Sequence, residues 1–164
     1  MKNVAPFKKY NDVTSAYLAG IIDGEGSIYI GAYSRNKTTG VPHYQTNIEV
    51  TNTSEALIDW LVENIGGRKF SYTAAQMAKN CRKQVFRWTA QGESVLHICY
   101  YIKPYLIIKK KQCEIMIDMR LTFAHTGIAK NRFGSRGVPA EIQEQRHKYW
   151  QEIKALHCRN YNKI

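Results

Sequence analysis

The spacing of apolar and polar positions changes period several times along the chain. Leu18, Ala19, Ile21 and Ile22 make an apolar stretch too short to span a bilayer, which predicts a buried helix leading into Gly24. Residues 27–35 and 43–51 alternate with a period of two and predict strands, with the turn at Asn36-Lys37-Thr38-Thr39-Gly40 and Pro42. On the second strand Tyr44, Thr46, Ile48 and Val50 point one way, and Gln45, Asn47, Glu49 and Thr51 the other. Asn52-Thr53-Ser54-Glu55 reads as a helix start, Leu57, Ile58, Leu61, Val62 and Ile65 as its apolar stripe, and Gly66-Gly67 as its end. A second hairpin is expected over 68–73 and 83–90, with Phe86 and Trp88 inward and Lys83, Val85, Arg87 and Thr89 outward. Helices are predicted over 93–103, ending before Pro104, and over 105–123. A basic loop over 124–138 then precedes a last helix opened by Pro139, with Ile142, Tyr149, Ile153 and Leu156 as its packing face.

Charge adds a partner to this picture. Lysine and arginine number 24 against 13 acidic residues, a formal charge of +11 over 164 residues. Such a balance implies a polyanion, nucleic acid before any other. No amphipathic basic anchor or long apolar run points to a membrane. Between Arg68 and Arg87 stand Lys69, Lys79, Arg82 and Lys83 without one acidic residue, as expected of a phosphate-facing ribbon. Lys109, Lys110 and Lys111 near a helix start oppose its dipole, a placement that makes sense beside a phosphate backbone. Cys81, Cys99, Cys113 and Cys158 lie far apart without C-x-x-C spacing, which reads as reduced thiols rather than a zinc site. Residues 1–10 lack the apolar core of a signal peptide, so an intracellular protein is expected. The length suits one domain over 1–164, with a core of about 14–123 followed by a basic loop and terminal helix over about 124–164.

The chemistry gathers at the first helix. Ala16, Gly20 and Gly24 fall four residues apart on one face, a bare stripe that lets two helix backbones approach closely. Glu25 follows where the ending helix already presents unpaired carbonyls, and a carboxylate there calls for a cation. Leu18-Ala19-Gly20-Ile21-Ile22-Asp23-Gly24-Glu25-Gly26 resembles the motif of the LAGLIDADG homing endonucleases, and Ser27-Ile28 continues into a strand as in that family. The departures are Ile21 for Leu, Gly24 for Ala and Glu25 for the final Asp, of which Gly24 is usual in the single-motif branch.

This resemblance covers about residues 16–117 and matches the predicted order of elements. It implies an α+β fold of αββαββα order, a curved antiparallel DNA-binding sheet and extra C-terminal helices. One motif copy implies a homodimer with Ala16, Gly20 and Gly24 at the interface. The implied activity is that of an intron-encoded homing endonuclease, making a staggered double-strand break in a long, partly palindromic DNA target. Glu25 and the Gly24 carbonyl would bind Mg²⁺, for which Mn²⁺ can substitute, and the metal would activate water and stabilise the leaving oxygen. By position in the family pattern, Asn52 would place water and Lys109 would supply a basic group at the active site. Outward residues of the sheet are expected to meet double-stranded DNA: Tyr29, Tyr33, Arg35, Lys37, Gln45, Asn47, Glu49, Lys69, Lys83 and Arg87. Lys110, Lys111, Lys130, Arg132 and Arg136 are expected to add phosphate contacts. The same scaffold would also serve an RNA-binding intron maturase or a non-cleaving DNA-binding regulator. An organelle, or an archaeal or bacterial cytoplasm, is the expected setting.

Overall fold

The computed structural model describes residues 9–34, 42–72, 83–124 and 138–157. Asn11 caps the first helix, its Oδ1 accepting from Thr14 N–H at 2.8 Å, and α1 runs Asp12–Glu25. It passes directly into β1 (Gly26–Ser34), which pairs antiparallel with β2 (Pro42–Asn52). Ser54 caps α2 (Glu55–Ile65), which is followed by β3 (Arg68–Tyr72), β4 (Val85–Gln91) and α3 (Glu93–Ile102). Two further helices, α4 (Lys110–Ala124) and α5 (Ala140–His157), complete the described α+β architecture.

The four strands form one antiparallel sheet in the order β1-β2-β4-β3. Register decides its two faces. Ile28 pairs with Ile48, which pairs with Ala90, while Val50 pairs with Trp88; all five side chains are buried. They pack with Leu18, Ala19 and Ile22 of α1, Ile58, Leu61 and Ile65 of α2, and Val95 and Ile98 of α3. The helices therefore cover one face and leave the other to the alternate residues of each strand. Trp88 donates from Nε1 to the Gly66 carbonyl at 2.6 Å, fixing the link from α2 to β3. Gly67 has φ +92°, and a Cβ there would stand 2.8 Å from both the Thr89 carbonyl and Trp88 Nε1, so a side chain is excluded on both counts.

Strand limits fall within two residues of those predicted. The helix expected over 105–123 is instead Lys110–Ala124. Its first residues are held as a turn because Asp23 of α1 takes their backbone N–H groups. The terminal helix α5 lies against α4 and the edge strand β1. Ile153 is buried, Arg146 donates to the hydroxyl and carbonyl of Thr122 at 2.9 and 3.1 Å, and His157 Nε2 meets the Ile28 carbonyl at 2.8 Å. His147 shares a 2.8 Å hydrogen bond with the Tyr44 hydroxyl. The packing face of α5 therefore includes buried Arg146 and half-buried His147 beside Ile142, Tyr149 and Ile153, whereas Leu156, expected there, is 44% exposed.

Candidate catalytic centre and nucleic-acid interface

The C-terminal end of α1 meets the N-terminal end of α4. Asp23 Oδ2 accepts from Ile107 N–H at 2.7 Å and Ile108 N–H at 3.2 Å, and Oδ1 accepts from Lys109 N–H at 2.9 Å. Lys109 returns the contact, its Nζ donating to the Asp23 carbonyl at 2.5 Å. Burial pushes the Asp23 carboxyl up, but the three backbone donors and the Lys109 charge outweigh it and hold the group below its ordinary value. Its anion also offsets the three lysines at the start of α4, where the helix dipole disfavours them. Nothing in the motif's local pattern singled out Asp23, since its partners lie 84 to 86 residues away.

This clasp puts Lys109 beside the last turn of α1, which carries Gly24 and Glu25, both exposed. Asn52 lies alongside, because Gly26 pairs with Val50 and β2 runs two residues further. The Asn52 carboxamide oxygen accepts from Ser54 N–H at 2.8 Å, which turns its amide NH₂ to other use. Three predicted catalytic residues are thus brought to one end of the molecule. A carboxylate and backbone carbonyls without further helical N–H partners are hard oxygen donors, the kind Mg²⁺ and Ca²⁺ take. Among the described residues no three His, Cys, Asp or Glu side chains gather into a metal cluster. Glu25 and the neighbouring carbonyls are thus donors of the kind a divalent cation takes.

Along α1, Val13, Ala16, Tyr17, Gly20 and Gly24 make an exposed stripe. A Cβ built on Gly20 or Gly24 meets nothing within 4 Å among the described residues. Packing among the described residues therefore gives no reason for glycine at Gly20. A helix-interior glycine costs roughly 0.8–1.0 kcal/mol relative to alanine.

The sheet's open face carries Tyr29 and Tyr33 from β1, Gln45, Asn47, Glu49 and Thr51 from β2, Arg87, Thr89 and Gln91 from β4, and Arg68 and Phe70 from β3. Tyr29 donates to Glu49 Oε1 at 2.7 Å, and the Arg87 guanidinium lies 4.8 Å from the Tyr72 ring centre. Among the described residues, Asn47 Oδ1, Thr89 Oγ1 and Arg87 Nε on this face are buried without hydrogen-bond partners. Asn47 is 1% exposed and Thr89 4%, so these two predicted outward residues lie at the floor of the face rather than at its surface.

Lys69 does not join them, contrary to the sequence expectation. It pairs with Trp88 and so projects to the helix side, where its Nζ meets Glu55 at 2.7 Å and Asp59 at 2.5 Å. The open-face cation of that strand is its neighbour Arg68. Lys83 is exposed just before β4, and Lys110 and Lys111 are exposed in the first turn of α4. Arg35, Lys37, Lys130, Arg132 and Arg136 lie outside the described residues.

Known proteins resemble this chain in family and in fold. The family model described as LAGLIDADG endonuclease matches residues 18–117. No curated protein sequence matches the chain. Among solved structures, the homing endonuclease I-CvuI in complex with its target, in the presence of Ca, superposes with a TM-score of 0.69 at 14% identity, covering 93% of this chain and 87% of that one. The archaeal intron-encoded homing endonuclease I-Vdi141I complexed with DNA gives 0.68 at 14% identity, covering 93% and 89%. The LAGLIDADG homing endonuclease I-LtrWI, bound to target DNA, gives 0.61 at 20% identity; this chain covers 48% of its length.

Proposed function

From the premise that this chain belongs to the LAGLIDADG endonuclease family, whose model covers most of it, we propose a site-specific DNA endonuclease that works as a symmetric homodimer. The observation that carries the proposal is the meeting at the end of α1. There an exposed glycine stripe leads directly to Glu25, Gly24 and Lys109, with Asn52 alongside. Packing two stripes on a two-fold axis would place two Glu25 carboxylates together and complete a site that one chain leaves half-built. It would also supply the reason for Gly20, which packing among the described residues does not provide.

Glu25 and the Gly24 carbonyl would hold a divalent cation, Mg²⁺ by the hardness of its oxygen donors. What the ion supplies when bound is polarisation of the scissile phosphate and a lowered water pKa. Lys109, fixed by the Asp23 clasp, presents a positive charge to the phosphate as negative charge develops. The Asn52 amide can orient water. The open sheet face would lie in the major groove, which admits β-strands, with Arg68 and Arg87 among its groups and Lys83, Lys110 and Lys111 toward phosphates. Phosphodiester hydrolysis on both strands follows from two copies of this site.

Incubating the protein with a randomised duplex library in Mg²⁺ or in EDTA, and sequencing the cut ends, tests the reading. Recurrent staggered ends at a partly palindromic sequence, in Mg²⁺ alone, are expected. Selective binding without any cut ends would instead make the protein a non-cleaving DNA-binding regulator.

A further inference from the structure

Glu49 is out of place on a DNA-facing surface of a protein with a charge of +11. It stands on the central part of β2, opposite Ser27 on one side and Thr89 on the other, and half-buried. Arg87 stands diagonally across from it on the same face, opposite Thr51. Among the described residues Glu49 forms no ion pair, and the Arg87 guanidinium stacks over Tyr72 at 4.8 Å instead. Glu49 is bonded to a neutral donor, the Tyr29 hydroxyl, at 2.7 Å through Oε1. Burial, and then the bond to Glu49, push the Tyr29 phenol well above its ordinary value, so it stays a donor throughout the physiological range. That bond orients the carboxylate, and its second oxygen can accept from another donor.

From this arrangement, and resting on the proposal that the sheet lies in the major groove, we infer that Glu49 is a specificity-determining residue. It selects a base with an exocyclic amine at one position of each half-site. In the major groove only cytosine N4 and adenine N6 donate; guanine and thymine present acceptors that a carboxylate repels. Adenine sets its N7 acceptor beside the amine, whereas cytosine offers the donor alone, so cytosine is the better match. Tyr29 is a positioning residue: it fixes the carboxylate in advance and removes part of the side-chain entropy that recognition would otherwise cost.

The test is selection of bound duplexes from a randomised library, without cleavage, for the wild type, Glu49→Gln and Tyr29→Phe. The wild type should enrich cytosine at one pair of symmetry-related positions; adenine there would identify N6 as the amine. In Glu49→Gln the side chain can also donate, so discrimination against guanine and thymine should fall about tenfold at that pair and nowhere else. Tyr29→Phe should weaken the same preference less, leaving other positions and the salt dependence of binding unchanged. Should Glu49→Gln fail to fold, a position-specific loss in Tyr29→Phe supports the inference, and an unaltered preference overturns it. Identical preferences in wild type and Glu49→Gln, or an equal loss over all positions, also overturn it. A wild type that enriches sites here but cuts none of them in Mg²⁺ removes the nuclease reading and leaves this one standing; a wild type that enriches nothing removes both.

Discussion

At the scale of single residues, Glu25 and Lys109 are separable by what each does to binding and to rate. Glu25→Gln keeps size and removes the charge that would hold the cation, twice over in a homodimer. Cleavage in Mg²⁺ should become negligible while gel-shift binding of the target persists; near-normal cutting would take Glu25 out of the centre. Lys109→Ala should slow single-turnover cleavage at saturating protein by roughly 3 kcal/mol, the loss expected when a preorganised donor to transition-state charge is removed. Its effect on affinity should be smaller, because it is one cation among many around the duplex. Glu25 was legible in the sequence because the motif string is specific and places it at a helix end. Lys69 and Arg68 were not separable, since both are basic neighbours in one strand. Which of them faces out depends on how Gly66 and Gly67 deliver the chain into register, at φ values of 91° and 92°.

Elements carry the assembly and its pH response. Gly20→Val adds a branched side chain to open space in one chain, but to the closest approach of two helices in the proposed dimer. Overpacking a tight contact costs about 1–3 kcal/mol. Sedimentation should therefore show loss of dimer with monomer stability undiminished; an intact dimer would remove the stripe from the interface. Asp23 sets a different dependence. Its carboxyl is held below the ordinary value of 3.8, so its contribution is complete above that pH and disappears as pH falls through the depressed folded value. Urea midpoints of the wild type and Asp23→Asn should differ at pH 6 and converge in strong acid, below the depressed folded value. A difference that persists unchanged into strong acid would mean that the clasp does not depend on the ionised carboxylate. The predicted helices and strands are present among the described residues, because periodicity and capping signals are local; the expected turn at 36–40 and the basic loop after residue 124 lie outside them. The start of α4 was misjudged because Asp23, which turns residues 107–109 out of the helix, sits in another element.

At the scale of the whole molecule the excess of cations governs association. DNA affinity should fall steeply with salt as phosphate contacts release counterions. Arg68→Ala or Arg87→Ala should reduce the magnitude of the log–log slope by about one if the residue contacts phosphate, or relax specificity if it reads a base. Lys69→Ala should leave the slope unchanged, since its ammonium is engaged by Glu55 and Asp59 on the helix side. A reduced slope for Lys69→Ala would show that its cation reaches DNA after all. The clasp between Asp23 and the turn before α4 also bears on the order in which the molecule comes into being. It joins positions 84 to 86 residues apart, across both hairpins and two helices, so its closure carries the entropy of a long loop. Local turns and strand pairs can form before it, whereas Lys109 reaches the end of α1 only once the intervening chain has folded. During synthesis the motif emerges early and Lys109 much later. The centre is thus assembled late, and a nascent or partly folded chain carries Glu25 without its neighbouring lysine in place.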